Sequence, residues 1–191
     1  MTLAAGDRLE FLLVRHVLDV GVTTRTEILT VDRGGEFCLV DEERHNFAGG
    51  VGFDEIWGED GNDGLYGEGD EDRIYGGAGN DRLVGGLAQD NLYAGDGNDT
   101  VDGNEGDDKV YAGTGNDRVT AGDGRDLVIG DAGNDVIFGG FGNDTLYGGE
   151  GIDQILGEGD NDVLTGDGGD DILDGGVGDD AVFGGNGNDA I

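Results

Sequence analysis

The chain has 191 residues, a formal net charge of −34, 44 glycines, no proline and no serine. So acidic a polypeptide is a poor partner for nucleic acid, serine nucleophiles are excluded outright, and glycine at this level with few aromatics does not describe an ordinary globular core. Such a chain defaults to disorder in plain water unless its charge is neutralised, and a solenoid of repeats is the natural exception.

Residues 1–48 stand apart from the rest, with five arginines, four glycines and a denser apolar content. They are expected to form a β-rich N-terminal cap, or the remnant of an upstream domain. Residues 1–7 lack the basic start and apolar centre of a secretory signal, so any export uses another address. No run approaches the roughly 20 apolar residues of a membrane span. Residues 8–20 are ambiguous between helix and strand, because Leu9, Phe11 and Leu13 alternate while Leu12 and Val14 break the alternation. Residues 26–31 and 36–40 predict two strands joined as a hairpin through Asp32-Arg33-Gly34-Gly35. Cys38 is the only cysteine, which excludes an internal disulfide and fits a small apolar filler. Residues 40–48 look like a decayed copy of the nonapeptide that repeats from residue 49, with His45 and Phe47 at its two key places.

From residue 49 a nine-residue phrase, Gly-Gly-x-Gly-x-Asp-x-aliphatic-x, runs without insertion to residue 191 in sixteen copies. Gly76-Gly77-Ala78-Gly79-Asn80-Asp81-Arg82-Leu83-Val84 is its clearest statement. The sixth residue is Asp in every copy: Asp54, Asp63, Asp72, Asp81, Asp90, Asp99, Asp108, Asp117, Asp126, Asp135, Asp144, Asp153, Asp162, Asp171, Asp180 and Asp189. The eighth is always Ile, Leu or Val, from Ile56 to Ile191. A strict period of this kind predicts a solenoid. Ile191 stops inside a copy, which leads us to expect further residues downstream.

The phrase has a chemistry. Its early glycines permit positive backbone angles and a turn whose carbonyls point to a common centre, and the Asp adds a carboxylate. Carboxylate and carbonyl oxygens in variable number suit calcium; zinc or copper would ask for His and Cys, and magnesium for a stricter octahedron. With a turn every nine residues, two copies complete one coil and alternate copies stack. Stacked strands lie about 4.8 Å apart, and unit charges at that distance repel by roughly 3 to 4 kcal/mol at an effective dielectric of 20. A column of eight aspartates therefore needs a divalent cation, and metal binding becomes part of folding. Seven gaps on each of two edges set an upper bound of about fourteen Ca2+ ions of the intercopy kind. The fourth-position Gly is replaced by Asp70, Ala88 and Asp160 in three copies, whose turns are expected to bind weakly or not at all. Turn-making alone would accept Asn, Ser or Gly in place of Asp, and no EF-hand loop is present.

These residues resemble the RTX, or hemolysin-type, calcium-binding nonapeptide repeat, a recognised signature among known repeat periods. The resemblance spans residues 49–191. It implies an all-β, right-handed parallel β-roll, here of about eight rungs, with calcium held between successive turns by the sixth-position aspartates from Asp54 to Asp189 and by backbone carbonyls. It also implies an extracellular or cell-surface protein, secreted by a bacterial type I exporter and folding where calcium is plentiful.

Alternate copies fall on opposite faces, and one face collects Trp57, Tyr75, Tyr93, Tyr111 and Tyr147 at the ninth position. Stacked rings would support the sheet; the strip could also dock a polysaccharide or a partner domain. Nothing supports catalysis in the chain itself. His16 and His45 form no His-Glu-x-x-His helix and Cys38 has no base beside it. The module could accompany a secreted protease, lipase or alginate epimerase, or form part of a calcium-dependent surface adhesin. An ice-binding threonine array is absent, with only Thr114 at a third position.

Overall fold

In the computed structural model the described residues are Leu12–His16, Thr26–Thr30, Phe37–Cys38 and 46–191. Among them every regular element is a strand. β1 (Leu12–His16) and β2 (Thr26–Thr30) pair antiparallel as a sheet of their own, so the described part of the ambiguous 8–20 segment is strand. β3 (Phe37–Cys38) joins a different sheet, parallel to β5 (Glu55–Trp57). The two strands expected to form one hairpin are therefore parted. Extended Phe37 and Cys38 match the register of the roll eighteen residues on, and its continuing ladder offers them partners that a lone hairpin would not. The connecting Asp32-Arg33-Gly34-Gly35 lies outside the described residues.

Residues 46–191 wind into a roll with two parallel sheets. One holds eight strands, from β4 (Asn46–Val51) through Gly64–Gly69 and Arg82–Leu87 to Ile172–Asp174; the other holds nine, from β3 and β5 through Arg73–Ala78 to Ala181–Asn186. Each strand pairs with the one exactly one coil away, at an offset of eighteen residues: Ile74 opposite Leu92, Val110 opposite Val128, Leu146 opposite Leu164. Two nonapeptides thus make one rung.

The strands are longer than the aliphatic run. Most have six residues, from the seventh position of one copy to the third of the next, as in Arg73–Ala78. Within them burial alternates, so the eighth and first positions point inward and the seventh, ninth and second outward. The core is accordingly a file of eighth-position side chains, Ile56, Leu65, Ile74, Leu83, Leu92 and onward to Leu173, none more than 2% exposed. Phe47 packs against the start of this file and Val182 against its end. β4 pairs with Gly64–Gly69 so that Phe47 faces Leu65, which puts Phe47 at an eighth position.

The turns depend on positive φ at the second and fourth positions. At Gly77 and Gly79 φ is +108° and +140°, the second angle lying in a region essentially reserved for glycine.

Candidate metal centre

Each sixth-position Asp sits where a turn hands over to the next strand, one residue before the outward seventh position. That places its side chain inward. All fourteen from Asp54 to Asp171 are buried, at most 7% exposed; Asp180 and Asp189 in the last rung are half-buried. The structure therefore brings the sixteen predicted residues into two columns, one on each edge, in which neighbours are one rung apart.

Within a column each carboxylate reaches back to the copy before it. The Asp117 amide donates to Asp135 Oδ1 at 2.8 Å and the Asp99 amide to Asp117 Oδ1 at 2.7 Å. The same bond recurs from Asp54 with Asp72 to Asp171 with Asp189. The backbone is clamped a second time by its own carbonyl, which accepts the amide of the seventh residue one rung on, as from Val136 to Asp117 at 2.9 Å.

Only half of each carboxylate is used. Oδ2 of every one of the fourteen buried aspartates has no hydrogen-bond partner. Buried polar atoms are nearly always paired, so a repeated exception calls for an unseen partner. Backbone carbonyl oxygen lies close to Oδ2. A Cβ on Gly67 would meet both Asp72 Oδ2 and the Gly85 carbonyl oxygen, and one on Gly76 would meet Asp81 Oδ2 and the Ala94 carbonyl oxygen. The first-position carbonyl of one copy thus approaches the free carboxylate oxygen of the copy below. Ala94, Ala112 and Ala121 place a buried methyl at that point, so the gap tolerates some filling there. The fourth-position carbonyls also aim along the roll axis, that of Gly61 onto Gly79 and that of Gly115 onto Gly133. Among the described residues no three His, Cys, Asp or Glu side chains converge. A cation in a gap would therefore need backbone carbonyls beside its aspartates, the hard oxygen set that suits calcium.

Charge in such places is costly. Burial pushes the Asp72, Asp90, Asp99, Asp126 and Asp135 carboxyls up to about 7 and those of Asp81, Asp108 and Asp144 to about 6. The amide that each accepts pulls the other way, and nearby carboxylates add to the rise. The columns resist being ionised without a counter-charge.

A second ladder lies outside the first. Asn62, Asn80, Asn98, Asn116 and Asn134 occupy the fifth position on one edge, and each accepts the amide of the fifth residue one rung on, as from Asn80 to Asn62 Oδ1 at 2.7 Å and from Ile152 to Asn134 Oδ1 at 2.8 Å. It reaches forward where the Asp ladder reaches back, so each gap is tied from both sides. The opposite edge substitutes Asp107 with Arg125, whose guanidinium meets Asp107 Oδ2 at 3.0 Å, and Asn143 with Asn161. Sequence reasoning passed over this ladder, although an Asn recurring every eighteenth residue was its signal.

The three irregular turns keep their shape by a different angle. Asp70, Ala88 and Asp160 have φ of +70°, +77° and +73°, the left-handed region that Asp enters more readily than Ala. Asp72, Asp90 and Asp162 behind them remain buried with a free Oδ2.

On the outer face Trp57, Tyr75, Tyr93 and Tyr111 stack in a file, with centroids 3.9, 4.9 and 4.9 Å apart and planes within 16° of parallel. Ile129 opposite Tyr111 ends the file before Tyr147.

A family model described as the RTX calcium-binding nonapeptide repeat (4 copies) matches the chain over residues 46–74, 65–92, 84–119, 120–155 and 156–191. No curated protein matches it.

Proposed function

Because the chain belongs to the RTX calcium-binding nonapeptide repeat family, we propose that it is a module whose folding is driven by calcium, with the sixth-position aspartates from Asp54 to Asp189 as the side-chain ligands. That it is a calcium-binding repeat module with a β-roll fold follows from the family and the parallel solenoid together. The ligand assignment rests on one observation, the fourteen buried Oδ2 atoms without a partner. Bound calcium supplies the positive charge that lets these carboxylates stay ionised inside the roll.

The chain's own groups do the rest. From Asp72 to Asp171 Oδ1 is held by the amide one rung back, which leaves Oδ2 to face the gap. The first-position carbonyls bring a further oxygen close to Oδ2, and fourth-position carbonyls such as those of Gly106 and Gly151 lie on the Oδ1 side, near Asp126 and Asp171. The eighth-position aliphatics close it from within.

RTX repeats are typical of secreted proteins, and folding that waits for calcium suits a chain that must leave a calcium-poor cytoplasm unfolded. We infer on that ground an extracellular or cell-surface setting, reached through a type I exporter, in which the module accompanies a secreted enzyme or forms part of an adhesin. For the aromatic file, packing is the better-supported role: Tyr75 and Tyr93 have both ring faces against neighbours, whereas a polysaccharide would need open faces.

Far-UV circular dichroism during a calcium titration tests the reading. Little strand signal in excess EDTA and a full signal at about millimolar calcium are expected. A full signal already in EDTA, or none with calcium, would overturn it.

A further inference from the structure

All three fourth-position replacements lie on one edge of the roll. Asp70, Ala88 and Asp160 belong to the turns that lead from the eight-stranded sheet into the nine-stranded one, as shown by their places after Gly64–Gly69, Arg82–Leu87 and Gln154–Gly159. The other edge keeps glycine throughout, at Gly61, Gly79, Gly97, Gly115, Gly133, Gly151, Gly169 and Gly187.

The difference reaches the gaps. On the unbroken edge a Cβ at any of the seven glycines from Gly79 to Gly187 would land on the fourth-position carbonyl one rung below. That carbonyl is therefore aimed into every gap of the edge. Gly106, Gly124, Gly142 and Gly178 show the same stacking on the other edge. At Asp70, Ala88 and Asp160 the turn must house a real Cβ, and φ has moved from the +124° to +148° of Gly142 and Gly187 to between +70° and +77°. At the glycine angle that Cβ would meet the carbonyl one rung below, as at Gly79, so these three turns depart from the common geometry.

What the side chain brings to the gap differs among the three. The Asp70 carboxylate reaches back across its gap, its Oδ2 accepting the Gly52 amide at 3.0 Å, and its charge bears on Asp72. The charge of Asp160 likewise bears on both Asp144 and Asp162, the two column members of its gap. Ala88 brings nothing. In each gap the aspartate Oδ2 atoms remain buried and unpartnered, so the demand for a cation persists.

Building on the calcium reading, we propose that the two edges are different metal columns: one continuous, the other interrupted at Ala88, with an added carboxylate at Asp70 and Asp160. The gap closed by Ala88 binds no ion or binds it weakly. The gaps closed by Asp70 and Asp160 hold an ion under a higher negative charge and favour a trivalent cation over calcium more than the regular gaps do.

Two substitutions of opposite sign test this. Ala88→Gly restores the consensus residue that the neighbouring turns already carry; native mass spectrometry in calcium is expected to show one more tightly held ion than in the parent chain. Asp70→Ala makes its gap like that of Ala88 and is expected to lose one. Trp57, the only tryptophan, is three residues from Asp54, so terbium emission excited through it reports the gap of Asp54, Asp70 and Asp72. That emission should saturate at lower terbium than the tyrosine-sensitised signal, and fall several-fold in Asp70→Ala. Parent, Ala88→Gly and Asp70→Ala chains holding the same number of ions, with unchanged terbium emission, would overturn the inequality of the edges. A parent chain that binds no calcium at all would instead overturn the calcium reading on which it rests.

Discussion

Removing calcium and lowering the pH should fold the chain by a second route, because a proton neutralises a buried carboxylate as a cation does. In the roll Asp72, Asp90, Asp99, Asp126 and Asp135 bind protons up to about pH 7, and Asp81, Asp108 and Asp144 up to about pH 6, against an ordinary value of 3.8. Their folded-state values are raised, so the stability of the metal-free roll is fully present below 3.8 and is lost as the pH climbs through 6 to 7. For a single group lifted to about 7 the penalty at neutral pH is roughly 4 kcal/mol. The penalties do not add along a column, since neighbours titrate together and their repulsion would be counted twice. A single such penalty is already comparable with the lower end of the stability of an ordinary domain, about 5–15 kcal/mol. In excess EDTA, circular dichroism should therefore show strand gained as the pH falls from about 8 to about 4, the transition centred below neutrality, with sedimentation velocity confirming a monomer. Calcium should abolish this dependence, and adding it at about pH 6 should release protons. More strand at about pH 8 than at about pH 5 in EDTA, or calcium binding without proton release, would refute the argument.

Other substitutions separate the parts of the repeat. Asp135→Ala leaves the Asp117 amide, now donating at 2.8 Å, without an acceptor; Asp135→Asn can keep that bond through Oδ1. With calcium saturating, urea unfolding should place the Ala variant about 1–3 kcal/mol below the Asn variant. Equal midpoints would mean that the ladder bond contributes nothing. Leu92→Ala empties a wholly buried eighth position and should cost about 2–5 kcal/mol in the same assay, with the number of bound ions unchanged. Tyr93→Ala removes two ring contacts at 4.9 Å. It should cost about 0.5–1.5 kcal/mol for each contact beyond area burial and leave calcium affinity alone; a large loss of affinity would contradict the packing role.

The register of the roll was legible because a period of nine with strict alternation leaves a strand no other way to bury its eighth residue. Ile74, Leu92 and Val110 follow one another in the structure as they do at every eighteenth place in the chain. The gathering of the sixteen aspartates into two columns was legible for the same reason. Which oxygen of Asp135 is bonded, and to which neighbour, was not, because that depends on the turn's height along the roll axis and not on the spacing of residue types. The six-residue strands were also hidden. A Gly-Gly pair suggests a turn, yet at Gly76 and Gly77 the ladder continues, since positive φ at the second position still leaves the flanking amides directed along the axis. Near the N-terminus the strands now seen at Thr26–Thr30 and Phe37–Cys38 were legible but their pairing was not. Short strands are specified by the sheet that receives them, and β3 found the growing edge of the roll.

A parallel sheet ordinarily has both faces covered, commonly by helices. Here the two sheets share one thin core, a single aliphatic for each nine residues backed by glycine or alanine, and their outer faces carry seventh- and ninth-position side chains that are at best half-buried. So narrow a core supplies little hydrophobic stabilisation for the chain it orders. Against it stand two columns of buried carboxylates with half their oxygens unpaired. Neither feature alone makes calcium dependence inevitable: a richer core could carry the buried charge, and a neutral turn could spare a poor core the need for help. Their coincidence in the repeats from Asp54 to Leu173 is what supports the proposal of calcium-driven folding. The glycines that admit carbonyls to the gap also deny the roll the side chains with which it could have stabilised itself, so on the proposed reading the residues that build the cation site are the ones that leave the fold in need of it.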